Sequence, residues 1–264
     1  MKRILTALVF LPIFYLVVLL PPFAYFLLLA GTLILAVREV SVLAGKSGYR
    51  FPPLIADLFC LAILYAFLVP WLQPVWIIAA ALLLLPLMIL TKPPPLARAV
   101  LSTGILLLTV MVLGVLIGFQ MQIRLLEEQL GQHLVFFFFL VVWTGDTAAF
   151  YVGSSLGKHP LLPGISPKKT IEGSIGGILA SMAAGALAAG FFLQGVSPFQ
   201  GLLVGFLLNL FGQAGDLLES SLKRVSGVKD SAGLLPGHGG ILDRLDSLVL
   251  AGPVFYLCCH YLYP

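Results

Sequence analysis

The chain has 264 residues, of which 60% are hydrophobic and only 10% charged, whereas soluble domains carry about 25% charged residues. With a mean hydropathy of +1.07, this composition excludes a soluble globular domain and predicts an integral membrane protein. The formal net charge of +4 does not point to nucleic acid, because the basic residues are spread over loops with no basic arm or aromatic RNA-binding pattern.

A helix crossing a bilayer needs roughly 20 apolar residues. Apolar runs punctuated by Pro, Gly and charge predict spans near 4–20, 23–37, 54–69, 75–90, 99–119, 134–153, 174–193, 199–222 and 245–261. The fold class is therefore all-α, a polytopic bundle of about nine transmembrane helices. It reads as a single membrane domain over 1–264, with N-terminal helices in 1–133 and, in 134–264, the helices and cytosolic loops that carry the polar residues taken up below. The basic start MKR followed by an apolar run resembles a signal peptide. That run is longer than the roughly 7–15 residues of a signal core and no small-residue cleavage site follows, so it is read as a retained first span.

With the N-terminus in the cytoplasm, the inner segments are 1–3, 38–53, 91–98, 154–173 and 223–244, and 14 of the 15 Lys and Arg fall in them. This asymmetry is the positive-inside pattern. Arg124 lies outside, beside Glu127 and Glu128. The cell membrane of a bacterium, with the polar loops facing the cytoplasm, is the expected location.

Between residues 180 and 190, ASMAAGALAAG is almost all small, and Gly173 and Gly177 stand four apart. Small faces let helices approach closely, either within the bundle or as a seam between two copies. The three cysteines, Cys60, Cys258 and Cys259, lie in apolar runs without metal-ligand or disulfide spacing and are expected to pack as small hydrophobes.

Ionisable groups at membrane depth are costly and read as functional by default. Asp146, Asp216, Asp243 and Asp246 lie in or beside predicted membrane helices; the alternative, for Asp146 and Glu219 above all, is an ion pair with a nearby base. In ILDRLDS, Asp243 and Asp246 stand i, i+3 at a helix start and share a face. Paired carboxylates repel unless a cation sits between them, and a small oxygen-only set suits Mg²⁺, which commonly bridges to substrate phosphates. Asp216 would complete the set if the intervening loop folds back.

The bases nearby suit a polyphosphate. Lys223 and Arg224 end the eighth span, Lys229 follows in the loop, and Arg244 stands between the two aspartates on another helix face; lysine supplies point charge and arginine a fork. Anchoring the helix at the membrane surface is the alternative role of Lys223 and Arg224. His238, within PGHGG, has three roles open to it: binding a phosphate, fixing the loop, or transferring a proton. In GISPKKTIEGS, Ser166 and Pro167 read as a helix N-cap and first residue, placing Lys168 and Lys169 at the positive end of a helix, where anions bind.

The 27 residues from Ser220 to Asp246, SSLKRVSGVKDSAGLLPGHGGILDRLD, resemble the family pattern of phosphatidate cytidylyltransferases, also called CDP-diacylglycerol synthases. Every fixed position is met, from Ser220, Lys223 and Arg224 through Lys229 and Asp230 to His238, Asp243, Arg244 and Asp246. SPKKTIEG upstream is similar to the same family. The resemblance implies transfer of CMP from CTP to phosphatidic acid, with Mg²⁺ and a second cation as cofactors. It also implies that Asp216, Asp243 and Asp246 hold metal, that Lys223 and Arg224 lie at the nucleotide site, and that Lys169 serves a phosphate; Asp216, Asp243, Asp246 and Lys223 are then the catalytic candidates. Ser220, Lys229, His238, Arg244 and Asp146 join the substrate-binding candidates. The partners expected are CTP, phosphatidic acid and membrane lipids, with a homodimer as the alternative to bundle packing for the small-residue stretch.

Two other readings compete. A CTP-dependent lipid kinase belongs to a similar membrane group but matches the pattern less completely. A transporter would need a midplane site with paired broken helices, whereas the charge here gathers at one face. The D-G-x-x-A-R helix of CDP-alcohol phosphotransferases is absent.

Overall fold

The computed structural model describes residues 2–91, 95–193, 195–228 and 240–262. Among these, seven helices are long and apolar enough to cross a membrane, and the only strands form one short hairpin. The protein is an all-α, polytopic integral membrane protein. The chain packs as two compact units, residues 1–122 with 222–244, and residues 123–221 with 245–264.

In the first unit the helices are α1 (Lys2–Leu19), α2 (Pro22–Lys46), α3 (Pro53–Leu68), α4 (Pro74–Leu87) and α5 (Leu96–Thr109). Proline opens α2, α3 and α4, a position where its missing N–H costs nothing and its fixed φ suits the first turn. A 3₁₀ turn over Met88–Thr91 extends α4, and a π-helical stretch over Val110–Leu116 joins α5 to α6 (Ile117–Leu125). The π stretch packs on α3, where a Cβ on Gly114 would stand 3.2 Å from the Cys60 Cα.

The sequence pattern ends the second span at residue 37, but α2 runs on to Lys46. Arg and Glu are good helix formers, and both charges here find partners. Arg38 pairs with the buried Asp57 of α3 at 2.5 Å, and Glu39 is fully buried against backbone donors. The helix stops at Gly48, whose φ of +83° permits the closing bonds from the Gly48 N–H to the Gly45 carbonyl and from the Tyr49 N–H to the Ala44 carbonyl, a Schellman motif.

The second unit contains α7 (Glu128–Leu156), the antiparallel strands β1 (Pro160–Leu162) and β2 (Ser166–Thr170), α8 (Ile171–Phe192), most of α9 (Pro198–Val225) and α10 (Leu242–Leu262). The small-residue stretch of α8 packs inside this unit. A Cβ on Gly185 would collide with the Gly201 carbonyl of α9, so the two backbones nearly touch, and the same absence of side chains brings α7 against α8. Phe255 of α10 stacks on Phe137 and Phe138 of α7 at 5.6 and 5.4 Å between ring centres. Cys60 and Cys259 are buried and all three cysteines are free thiols.

The helix expected to start at Ser166 does not. Residues Ser166–Thr170 are a strand paired with Pro160–Leu162, and α8 begins only at Ile171. Its N-cap is Thr170, whose hydroxyl accepts the Gly173 N–H at 3.1 Å. Thr170 offers the cap oxygen that Ser166 was expected to supply, while strand pairing holds 166–170 extended.

Candidate active site

In the second unit three helices and the hairpin place ionisable groups together. Asp216 and Glu219 stand i, i+3 on α9 and so share a face, and Asp246 lies in the second turn of α10. One carboxylate oxygen from each of Asp216, Glu219 and Asp246 falls within 4.8 Å of the others. Lys169, at the end of β2, reaches Asp216 Oδ2 with its Nζ at 2.5 Å.

Backbone contact sets the spacing between α9 and α10. Gly215 faces the Asp246 carbonyl with no room for a Cβ, and Gly212, one turn earlier, has Ser247 Cβ at ordinary contact distance, 3.4 Å. Because only hydrogen stands on Gly215, the carboxylates of Asp216 and Asp246 can share a space small enough for one ion.

The rotation of α9 is held by a ladder of polar side chains. Ser181 Oγ donates to the Val141 carbonyl of α7 at 3.0 Å and accepts from Asn209 Nδ2 at 3.1 Å. Gln213 Nε2 donates to Asn209 Oδ1 at 2.5 Å and to the Ser174 carbonyl at 3.1 Å, while its Oε1 accepts from Ser174 Oγ. Such groups are tolerated among apolar helices because they satisfy one another. The ladder ends one turn before Asp216.

Asp146 of α7 accepts the Ser247 hydroxyl on Oδ2 at 2.9 Å. The same hydroxyl stands 3.3 Å from Asp246 Oδ1, which accepts the Ser247 N–H at 2.7 Å. A hydroxyl has one proton, so the shorter contact assigns it to Asp146. Ser247 thereby spaces two carboxylates that would otherwise repel.

The hairpin that carries Lys169 is pinned at its base. Glu172 accepts the N–H groups of Lys158 and His159 at 3.1 and 3.2 Å and pairs with His159 Nδ1 at 2.6 Å. Lys169 and Asp216 keep 25% and 34% of their side-chain surface, so the pair is accessible. An ion pair that exposed contributes about 0–1 kcal/mol, and its effect is on orientation more than on stability.

In the first unit, Lys223 and Asp243 form a second pair. Lys223 Nζ donates to Asp243 Oδ1 at 2.7 Å, and Asp243 Oδ2 accepts the Gly240 N–H at 3.0 Å. The carboxylate sits in the first turn of α10 and turns back over the helix start. The end of α9 is fixed by Gly227, at φ +66°, which lets the Val228 N–H reach the Lys223 carbonyl and the Gly227 N–H the Arg224 carbonyl, both at 3.0 Å.

Of the residues singled out in the sequence, the structure thus brings together Asp146, Lys169, Asp216 and Asp246, and separately Lys223 and Asp243. The cation set read from the sequence was Asp216, Asp243 and Asp246; among the described residues Asp216, Glu219 and Asp246 converge, while Asp243, in the first turn of α10, bonds Lys223 and the Gly240 N–H. Ser220 is buried on α9, and Arg224 and Arg244 are exposed. Lys168 is exposed on β2. Lys229 and His238 lie outside the described residues. Glu219, Ser247 and Glu172 gain roles that no motif assigned. Glu219 was legible as i+3 from Asp216, but Ser247 and Glu172 depend on contacts between helices.

Fold and site together define a class: polytopic helical membrane proteins with carboxylates and a lysine converging among their helices. Residues 1–262 match the cytidylyltransferase family, and the chain belongs to that family. It is 49% identical over 124 residues to a phosphatidate cytidylyltransferase of Staphylococcus haemolyticus, covering 47% of this chain and 48% of that protein. It is 43% identical over 158 residues to the phosphatidate cytidylyltransferase of Bacillus subtilis, covering 59% and 57%. With that of Staphylococcus aureus strain COL it is 41% identical over 189 residues, 70% of each. The chain thus spans about half the length of the first of these relatives.

Proposed function

We propose that the protein is a phosphatidate cytidylyltransferase, transferring CMP from CTP to phosphatidic acid with release of pyrophosphate. The observation that carries the proposal is the convergence of Asp216, Glu219 and Asp246 within 4.8 Å of one another, with Lys169 beside them, in a member of the cytidylyltransferase family.

The donor set fits a hard divalent cation: it offers three oxygens and no sulfur or nitrogen, and Mg²⁺ commonly completes its six positions with waters and substrate phosphate. Asp216, Glu219 and Asp246 would hold Mg²⁺, whose charge lowers the repulsion between two phosphate groups when it is bound.

The chemistry asks for no protein nucleophile. An oxygen of the phosphatidic acid phosphate attacks the α-phosphorus of CTP, the bond from that phosphorus to the bridging oxygen breaks, and pyrophosphate leaves with the electron pair. The residues supply placement and charge. Lys169, drawn to Asp216 in the structure described, exchanges that carboxylate for a phosphate oxygen. Ser247, itself held by Asp146, orients the carboxylate of Asp246, one of the three that would hold the cation. Lys223 and Arg224 are assigned to the CTP phosphates by the motif they belong to. The predominance of Lys and Arg in the segments read as inner supports a bacterial cell membrane location with this chemistry on the cytoplasmic side, where CTP is.

The test is the fate of label from CTP carrying ³²P at the α-phosphate, supplied with phosphatidic acid and Mg²⁺ to the purified protein. Label should enter a lipid-extractable product with an equal amount of unlabelled pyrophosphate. Label retained in soluble CDP would identify transfer of the γ-phosphate, the reaction of a lipid kinase, and overturn the proposal.

A further inference from the structure

Glu39 belongs to α2, in the part of the chain where no motif lies, yet it is fully buried. A buried carboxylate needs donors, and those of Glu39 come from about two hundred residues along the chain. Its Oε1 accepts the Ile241 N–H at 2.8 Å and its Oε2 accepts the Leu242 N–H at 3.0 Å. These are amides at the very start of α10, groups that have no acceptor inside their own helix, and the charge matches the positive end of the helix dipole.

The next residue is Asp243, bonded to Lys223 at 2.7 Å and to the Gly240 N–H at 3.0 Å. Glu39 therefore grips residues 241 and 242 while Asp243 grips residue 240 and Lys223. Four consecutive residues, 240 to 243, are tied down by two carboxylates. All these groups lie in the first unit. A second link in the same unit, from Ser47 Oγ to Ser226 Oγ at 3.1 Å, joins the end of α2 to the turn that closes α9.

We infer that Glu39 is a positioning residue for the Lys223 and Asp243 pair: it fixes the first turn of α10, and through it the ammonium that handles the CTP phosphates. The inference rests on the cytidylyltransferase reading for the role of Lys223, but not for the anchor itself. A carboxylate is needed because both its oxygens accept. A carboxamide has one acceptor, and its NH₂ would face a backbone N–H.

Glu39→Gln tests this. Leaving a buried amide without its acceptor should raise the KM for CTP on the order of tenfold, with kcat and the KM for phosphatidic acid nearly unchanged. A purely structural loss would lower the active fraction, and with it kcat, at constant KM. Because Glu39 acts through Lys223, adding Glu39→Gln to Lys223→Ala should raise the CTP KM little beyond Lys223→Ala alone. Independently of any reaction, hydrogen exchange at the Ile241 and Leu242 amides should be faster in Glu39→Gln than in the wild type, with Glu39→Asp intermediate.

Unchanged exchange at these amides would overturn the anchor, and additive effects on KM would overturn its route through Lys223. Failure of every variant at residue 39 to enter the membrane fraction would replace positioning with a structural role. If the wild type does not transfer CMP, the functional reading falls while the exchange experiment still decides the anchor.

Discussion

Gly215→Ala changes one hydrogen to a methyl group and should be one of the most damaging small substitutions in the second unit. The new Cβ would fall well inside contact distance of the Asp246 carbonyl oxygen. Both partners are backbone, so no rotamer change relieves the overlap, and α9 must move from α10. The carboxylates of Asp216 and Asp246, which converge between these two helices, part with them. A misplacement on the order of 1 Å in a reacting constellation costs about 10²-fold in rate.

Gly212→Ala is the control on the same helix. Its Cβ would meet the Ser247 Cβ at 3.4 Å and the Ser247 carbonyl oxygen at 3.5 Å, which is ordinary van der Waals contact. Alanine favours a helix over glycine by about 1 kcal/mol at either position, so that effect cancels in the comparison. Transfer of α-labelled CMP into lipid, measured across a Mg²⁺ titration, should fall about 10²-fold for Gly215→Ala, with a higher Mg²⁺ requirement. For Gly212→Ala the change should stay within about threefold, as for substitutions without a named defect. Equal rates in the two variants, whether both high or both low, would refute the reasoning that helix separation at Gly215 sets the site.

Three further outcomes are expected. Asp216→Asn, Glu219→Gln and Asp246→Asn should each lower turnover by about 10²–10³-fold, the scale of losing one charge-stabilising contact, with normal membrane insertion; near-normal Mg²⁺-dependent turnover in any one removes that residue from the cation set. Arg224→Ala should raise the KM for CTP more than the KM for phosphatidic acid, and an equal rise in both would detach Arg224 from the nucleotide. In a background without Cys60, Cys258 and Cys259, a cysteine at Gln129 should react with an impermeant reagent from outside the cell and one at Gly164 only from inside, the reverse pattern inverting the proposed orientation.

Much of the architecture was open to reading along the chain. Composition and apolar run length are properties of the sequence itself, and a bilayer imposes a near-fixed length on whatever crosses it. That is why α4, α8 and α9 begin and end close to the limits read from the pattern. The acids Asp146, Asp216 and Asp246 were also legible, because an ionisable side chain in an apolar run is costly enough to demand a use.

What depends on the approach of one helix to another was not legible. Pattern ended the second span before Arg38, since charge usually marks a membrane boundary; the helix itself runs on to Lys46, and only packing shows that Arg38 meets Asp57 and Glu39 the Ile241 and Leu242 amides. Pattern placed a helix cap at Ser166, and strand pairing with Pro160–Leu162 overrode it in favour of Thr170. The i, i+3 spacing of Asp243 and Asp246 suggested a shared ion, but a spacing on one helix says nothing of what the neighbouring helix offers each residue. Asp243 meets Lys223 and the Gly240 amide, and Asp246 meets Asp216 and Glu219 because Gly215 has no side chain to keep α9 and α10 apart. Sequence determines which groups must find partners; which partner each finds is decided by distances between backbones, and those exist only in the packed chain.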